Sequence, residues 1–342
     1  MYLPSYDFEK DIEALQKFHK KNKKFRIALL CGPKSREDAV YWSNFPFELT
    51  SSGFVYQNLK QLGFEVRVVK NTVKNLEKRL QWADVVFLNV HGEFGEDGTI
   101  QGFLDYIQKP YTGPGIYASC LGIDKVRFKK FANRLGFLTP SWIILREASL
   151  QEIKEAVGNL GLPTILKPSN GGSSIGLYKA TSLRHAVFLR KDISASITQG
   201  VGYFAEKFVT GRSLTVSILD LPTQRIALPI IEFLPRTKDL YDQELKIQSQ
   251  RGEPVVDYPT IRDLSKELYE YICATALEIC TQSECSGFAR IDFVLDMQNQ
   301  PYVLEMNTIP DLQKDSSFLL CAEATGITPM IVLLSLLHRA LT

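Results

Sequence analysis

Apolar and polar positions follow two different rhythms along the first third of the chain. "FRIALLC" and "DVVFLNV" are near-continuous apolar runs of strand length and "EVRVV" alternates, whereas "GFVYQNLKQLGF" and "NLEKRLQWA" return to apolar residues at helical spacing. Strands taken in turn with helices over residues 25–120 predict a small doubly wound parallel sheet, preceded by a helix that ends in "HKKNKK". Ligands of such sheets bind beyond the carboxyl ends of the strands, and "HGEFGEDG", starting at His91, falls at such an end.

From Asp124 the rhythm changes. "DKVRFKKFANRLG" and "SLQEIKEAVGNLG" read as helices, with Asp124 and Ser149 as N-caps and Gly136 and Gly161 as stops. The strands "LPTILKP" and "IGLYKA", joined by "SNGGSS", the helix "LRHAVFLRK" and the strand "GYFAEKFV" complete an α+β unit near residue 210. The strands "LTVSIL" and "RIALPIIEF" follow, then a polar loop through residues 235–258 and a helix from Arg262 to about Cys280. The hairpin "FARIDFVLD"/"PYVLEM" and two closing helices end the chain. The pattern is that of an α/β (α+β) protein in three parts, 1–120, 121–210 and 211–342, with no internal repeat.

Composition narrows the partners. The 342 residues are 45% hydrophobic and 23% charged with a net charge of +2, ordinary for a soluble globular protein, and they give no electrostatic case for nucleic acid. Six cysteines form no CxxC pair and most lie in apolar runs, which fits a reducing, cytoplasmic setting. The lysine-rich stretch from Met1 to Lys24 lacks the apolar block of a signal peptide, and "PMIVLLSLL" is far short of the roughly 20 residues of a membrane span. Small-molecule partners remain.

The chemistry concentrates in two places. In the hairpin, Asp292 on one strand and Glu305 and Asn307 at the end of the other project from one face, because side chains alternate with period two. Two carboxylates and an amide oxygen suit Mg²⁺, a hard ion that takes one or two carboxylates with phosphate oxygens and water, and Arg290 shares that face. The competing reading is a hairpin with a solvated polar face, against which the apolar flanks weigh. In "LKPSNGGSSIG", Lys167 ends a strand and a loop of Gly and hydroxyl residues follows, so backbone N–H groups with Ser173 or Ser174 are able to cradle phosphates; an ordinary glycine-rich turn is the alternative. No GxxxxGK[ST], no GxSxG and no His/Cys cluster of metal spacing occurs, and of four histidines only His91 sits in a suggestive loop. A phosphate-binding loop with lysines and an acidic hairpin together describe nucleotide-dependent phosphoryl transfer outside the P-loop class.

At these residues the chain resembles the ATP-grasp superfamily and, within it, the D-alanine-D-alanine ligase family. The likeness runs collinearly over about residues 85–330, through "FLNVHGEFGEDGTIQGFLDYIQKPYTGPGIYASCLGIDKVRFKK", "PTILKPSNGGSSIG", "FAEKFVTGR", "YDQELK", "FARIDFVLD" and "LEMNTIPD". It implies a Rossmann-like domain over 1–120 ahead of a central ATP-grasp subdomain over 121–210 and a C-terminal one over 211–342 that carries the magnesium hairpin. It implies ATP and Mg²⁺, with two ions and Mn²⁺ as a substitute, phosphorylating the carboxylate of one D-alanine. The amine of a second then attacks the acyl phosphate to give the dipeptide used in peptidoglycan. A homodimer is the assembly common in the family.

Carried over by position, Lys125 and Lys167 hold ATP phosphates, Ser174 lies in the loop above them, and Lys246, counted with the catalytic groups, reaches them from the long loop. Glu206, Lys207 and Val209 meet the adenine edge, and Ser213 stands at the ribose position. Asp292, Glu305 and Asn307 become the magnesium ligands, and Arg290 the cation that steadies the oxyanion during amine attack. Ser173 orders the loop over the first substrate, Glu37 aligns by a shift with the Glu that binds its amino group, and Ser316 binds the second substrate's carboxylate. His91 and Asp311 complete the expected substrate contacts.

The departures from the family pattern cluster around the substrates. The glycine-rich N-terminal motif appears as "CGPKSREDAVYWSNFPFELTSSG", Ile247 replaces a Tyr that bonds the loop serine, and Ser213 replaces a ribose-binding Glu. Asp311 replaces a Gly whose backbone N–H faces the reacting carbonyl, and a carboxylate there repels the second substrate's own carboxylate or attracts a cationic group. A ligase of the same fold for other amino or hydroxy acids stays open, as does a nucleotide-binding protein without catalysis, although intact Arg290, Asp292, Glu305 and Asn307 argue against the latter.

Overall fold

Three β-sheets, one parallel and two antiparallel, carry the chain in a computed structural model that describes residues 7–32, 45–72, 74–171, 176–236, 248, 253 and 255–342. The first contains β1 (Arg26–Gly32), β2 (Glu65–Lys70) and β3 (Val85–Val90), all parallel, in the order β2-β1-β3. All of β3 and the middle of β1 are buried, as near-continuous apolar runs require. The chain leaves β1 for one neighbour and returns to the other, so the carboxyl ends of β1 and β3 flank a switch point. The helix Ser51–Gln61 connects β1 to β2, its first turn satisfied by Thr50, whose hydroxyl accepts from Gly53 N at 3.1 Å.

Helix expectations here need adjustment. The run expected to be helical over residues 75–83 is helical only over Leu76–Leu80, because Asn75 adopts a left-handed conformation before it and Trp82 turns away to lie 4.0 Å from the Arg67 guanidinium. The helices Thr99–Tyr106 and Ile116–Ile123 were not anticipated: the first follows Gly98 at φ 89, and the second is apolar almost all round and lacks an amphipathic signature. Gly122 lets that second helix approach the segment Met306–Thr308, since a Cβ there would stand 2.8 Å from Thr308 and 3.1 Å from Met306 O.

The second sheet is antiparallel, with β4 (Trp142–Leu145), β5 (Thr164–Pro168), β6 (Tyr178–Ala180) and β7 (Tyr203–Lys207) in the order β4-β7-β5-β6. Helices Leu150–Leu160 and Leu183–Thr198 supply its own small core, the first opened by a capping box of Ser149 and Glu152. The short edge strand β4 was missed in the sequence.

The third sheet holds β8 (Gly211–Asp220), β9 (Arg225–Ala227), β10 (Ile231–Pro235), β11 (Val256–Asp257), β12 (Phe288–Asp296) and β13 (Pro301–Asn307), ordered β11-β10-β8-β12-β13 with β9 also on β8. "RIALPIIEF", expected as one strand, is split into β9 and β10. Pairing slips by one residue across Pro229, from Ile218 opposite Ala227 to Thr215 opposite Ile231, because proline cannot donate to the ladder. The helix expected from Arg262 begins at Lys266, capped by Ser265, and runs to Gln282 beneath this sheet. The last two helices, Ser317–Glu323 and Pro329–Leu341, return to share one apolar core with β1 and β3, so the end of the chain closes against its beginning.

Candidate functional site

The β12–β13 hairpin places its polar residues by register. Asp292 pairs directly with Glu305 and Arg290 with Asn307, so all four point to one face, and a bulge follows immediately between Asp292 and Phe293. Arg290 grips Asp292 bidentately at 2.9 Å, and Thr215, opposite Asp292 on β8, donates its hydroxyl to Oδ1 at 2.6 Å. Asn307 ends its strand by accepting the N–H of Ile309 at 3.0 Å. Two carboxylates and an amide, oxygen donors only, fit Mg²⁺ completed by phosphate and water; among the described residues no group of three His, Cys, Asp or Glu side chains is arranged to hold a metal unaided.

A second constellation of charge faces this hairpin. Lys125, at the start of the helix Lys125–Arg134, donates to Gly171 O and has its ammonium 3.8 Å from Glu305, tying the hairpin to the loop after β5. Lys167 on β5 lies 2.7 Å from Oε1 of Glu206 on β7, and Lys129 contacts the other oxygen of the same carboxylate. Burial pushes the Glu206 carboxyl up, yet Lys167 and Lys129 together overcome that and hold it below the usual range. Burial pushes the Lys125 ammonium down, with Glu305 opposing. The buried Lys129 was not singled out from the sequence. Its signal is a lysine in the apolar stripe of an amphipathic helix, among Val126, Phe128 and Ala132.

Alternation along β7 turns Glu206 inward and Lys207 outward to solvent, where the Lys207 backbone donates to Ser141 O at 2.9 Å. Val209 lies just beyond the strand and Ser213 is exposed on β8, across from Phe233. Thus Lys125, Lys167, Glu206 and Glu305 are brought together, and Arg290, Asp292 and Asn307 join them through the hairpin. Glu37, Ser173, Ser174, Lys246 and Ile247 lie outside the described residues.

The segment after the hairpin bridges to the parallel sheet. His91, just beyond β3, bonds Ile309 O through Nδ1 at 2.9 Å; a carbonyl only accepts, so Nδ1 carries the hydrogen, and Nε2 is buried with no partner among the described residues. Glu96 accepts from Gly92 N and shapes the same loop. Leu312 N donates to Ser51 Oγ at 3.2 Å, Gln313 Nε2 to Leu49 O at 3.0 Å, and Asn89 binds Ser52 at 2.8 Å. Asp311 accepts from Gln313 N at 2.8 Å, while Ser316 caps the helix Ser317–Glu323. His91 and Asp311 therefore flank one segment that reaches from Asn307 to the switch point.

Comparison with known proteins adds to this geometry. Two family models match, one described as D-ala D-ala ligase N-terminus over residues 64–114 and one as D-ala D-ala ligase C-terminus over residues 131–338. The D-alanine--D-alanine ligase B of Clostridium perfringens is 32% identical, covering 89% of this chain and 94% of its own length. That of Nitrosomonas eutropha is 33% identical over 89% of this chain and 92% of the relative. The solved D-alanine--D-alanine ligase of Bacillus anthracis complexed with ATP is 26% identical at a TM-score of 0.75 and covers 93% of this chain and 97% of that one. The D-alanyl-alanine synthetase A structure from Vibrio cholerae, 22% identical at a TM-score of 0.78, shares the fold over 94% of this chain.

Proposed function

The chain belongs to the D-alanine–D-alanine ligase family, and we propose that it is an ATP-dependent carboxylate–amine ligase that joins two D-alanine molecules through an acyl phosphate. The observation that carries this reading is the hairpin register: Asp292 opposite Glu305 and Arg290 opposite Asn307, with Lys125 3.8 Å from Glu305. The product is the dipeptide that peptidoglycan assembly consumes. Among the described residues no helix is long and apolar enough to cross a membrane, and all six cysteines are free thiols, which supports work in the cytoplasm where ATP is available.

In this reading Lys125 and Lys167 bind the ATP phosphates, and Glu206, Lys207 and Val209 line the base. Magnesium held by Asp292, Glu305 and Asn307 would neutralise phosphate charge as a Lewis acid. Arg290 stabilises the oxyanion that develops when the amine attacks, a role that demands a fixed cation, and its bond to Asp292 fixes it. Ser316 takes the carboxylate of the second substrate. His91, with Nδ1 committed to Ile309, keeps Nε2 for a substrate. Ser173, Ser174 and Lys246 would close over the site and exclude the water that otherwise hydrolyses an acyl phosphate. Ser213 leaves the ribose less firmly held than a carboxylate would, and Glu37 is assigned the first substrate's amino group.

The test is phosphate release by the purified chain with ATP, Mg²⁺ and D- and L-amino acids offered singly and in pairs. Turnover with D-alanine alone establishes the narrow assignment. Turnover only with another pair moves the chain to a related ligase, the reading that Asp311 keeps in view, and silence with every pair defeats the ligase reading.

A further inference from the structure

None of the roles above uses Lys129, although it has no solvent exposure at all. Its ammonium contacts Glu206 Oε2, donates to Thr139 Oγ1 at 2.6 Å and stands 5.6 Å from the centre of the Trp142 ring. The other oxygen of that carboxylate lies 2.7 Å from Lys167 Nζ, which itself sits 5.3 Å from the Phe204 ring centre. One carboxylate therefore spans two ammonium groups, one reaching from the helix Lys125–Arg134 and one from β5. A Glu–Lys pair alone is neutral, and a phosphate gains little from a lysine whose charge is already matched at close range. Two ammonium groups against one carboxylate leave a surplus positive charge.

We propose that Lys129 is a charge-balancing positioning residue: it neutralises Glu206 from inside the protein, so that Lys167, held in place by the same carboxylate, presents an unmatched charge to the nucleotide phosphates. The inference rests on the assignment of Lys167 to ATP in the ligase reading. It differs from a packing role because the charge, not only the shape, of residue 129 matters. A methylene-rich strut filling the same space would leave nucleotide affinity alone.

Charged groups face Lys129 from several elements, Glu206 on β7, Lys167 on β5 and Glu305 on β13, and Lys125 precedes it by four residues on the same helix. Burial pushes the Lys129 ammonium down to about 8; Glu206 opposes that fall and Lys167 adds to it. Phosphate charge arriving beside Lys167 favours the protonated form of the whole cluster. Nucleotide binding above that value therefore draws a proton onto Lys129, and binding near neutrality does not.

Titration calorimetry reads this directly, using the full chain with Mg²⁺ and ATP, no amino acid, and buffers of different ionisation heat at pH 7 and pH 8.5. The wild type is expected to take up a fraction of a proton at pH 8.5 and almost none at pH 7. Lys129→Met should bind ATP about tenfold more weakly at pH 7 and take up no proton at pH 8.5. Lys129→Arg should keep wild-type affinity at pH 7 and lose the proton uptake, because a guanidinium does not titrate there. Unchanged affinity and unchanged proton uptake in Lys129→Met overturn the proposal, whatever happens to its melting temperature. Should Lys129→Met fail to fold, Lys129→Arg decides alone: persistent uptake overturns the proposal and lost uptake supports it. A wild-type chain that binds no ATP defeats the ligase reading and this inference with it, whereas ATP binding indifferent to residue 129 defeats only the inference.

Discussion

Arg290 and Asp292, two residues apart on β12, hold each other: the guanidinium Nε and Nη2 each lie 2.9 Å from one carboxylate oxygen. The cation assigned to the oxyanion and a carboxylate assigned to the metal are thus matched before any ligand binds, and neither is left as an uncompensated charge. Asp292→Asn removes one of the two carboxylates paired across the hairpin, Asp292 and Glu305, while its amide oxygen still accepts from Thr215. Phosphate release with ATP, Mg²⁺ and D-alanine should fall at least about 100-fold in the folded variant, and its thermal stability should drop as well, because Arg290 loses its counter-ion. Wild-type turnover in that variant removes Asp292 from the site.

Thr215 acts on the same carboxylate from the other side, at 2.6 Å. Groups that orient a metal ligand commonly set affinity by about 10- to 100-fold when lost. Thr215→Val keeps the shape and deletes the bond, so the Mg²⁺ concentration for half-maximal activity should rise about tenfold at saturating ATP. A rise in the KM for D-alanine with no change in the Mg²⁺ requirement would assign Thr215 elsewhere.

The buried Lys129 also leaves a mark on stability. Its folded value of about 8 lies below the ordinary lysine value near 10.5, so between the two the unfolded chain binds more protons and stability from this group rises with pH. The cost is fully present below pH 8 and is relieved as pH climbs toward 10, by up to about 3 kcal/mol. The difference in unfolding free energy between wild type and Lys129→Met should therefore grow in favour of the wild type from pH 8 to pH 10. Urea titrations at both ends check it, and a gap that stays constant or shrinks contradicts the sign.

Strand periodicity made the hairpin legible from sequence, because a period of two fixes which residues share a face without knowledge of the rest of the fold. That is why alternation alone groups Arg290, Asp292, Glu305 and Asn307, which pair across β12 and β13. Asp124 and Ser149 were legible as caps for the same local reason. Lys129 was not, because only its buried contact with Glu206 on β7 distinguishes it from the solvated Lys130 beside it. The bridge from Ile309 to His91 spans 218 residues and leaves no local trace. The helix Ile116–Ile123 leaves no amphipathic rhythm because its residues are apolar on the exposed side, at Ile116 and Tyr117, as well as on the buried one.

Ser51 ties the segment beyond the hairpin to the parallel sheet, accepting from Leu312 N at 3.2 Å and from Asn89 at 3.3 Å. Ser51→Ala frees the Leu312 N–H, while Asn89 keeps Ser52. The loss should cost about 1 kcal/mol of stability and raise the KM for the amino acid several-fold. ATP affinity should not move, since Ser51 touches neither the helix Lys125–Arg134 nor β5, which carry the lysines. Parallel losses of ATP and amino-acid affinity would show that the segment from Ile309 to Gln313 does not act on the amino-acid side alone.

Asp311, which the resemblance sets at a position where the family has Gly, accepts the N–H of Gln313 at 2.8 Å through its carboxylate. Two properties are thereby joined in one residue, a turn and a negative charge, and different variants separate them. Asp311→Asn keeps an oxygen for the Gln313 N–H and removes the charge; Asp311→Gly removes both. Like charges a few ångströms apart near a protein surface repel by roughly 1 kcal/mol or more, about a tenfold effect on a carboxylate-bearing second substrate. With D-alanine as first substrate, both variants should therefore raise kcat/KM for D-alanine as second substrate relative to D-alaninamide, whose carboxamide is neutral, by about tenfold. A change confined to Asp311→Gly assigns the effect to the turn, and a ratio unchanged in both variants takes Asp311 out of second-substrate selection.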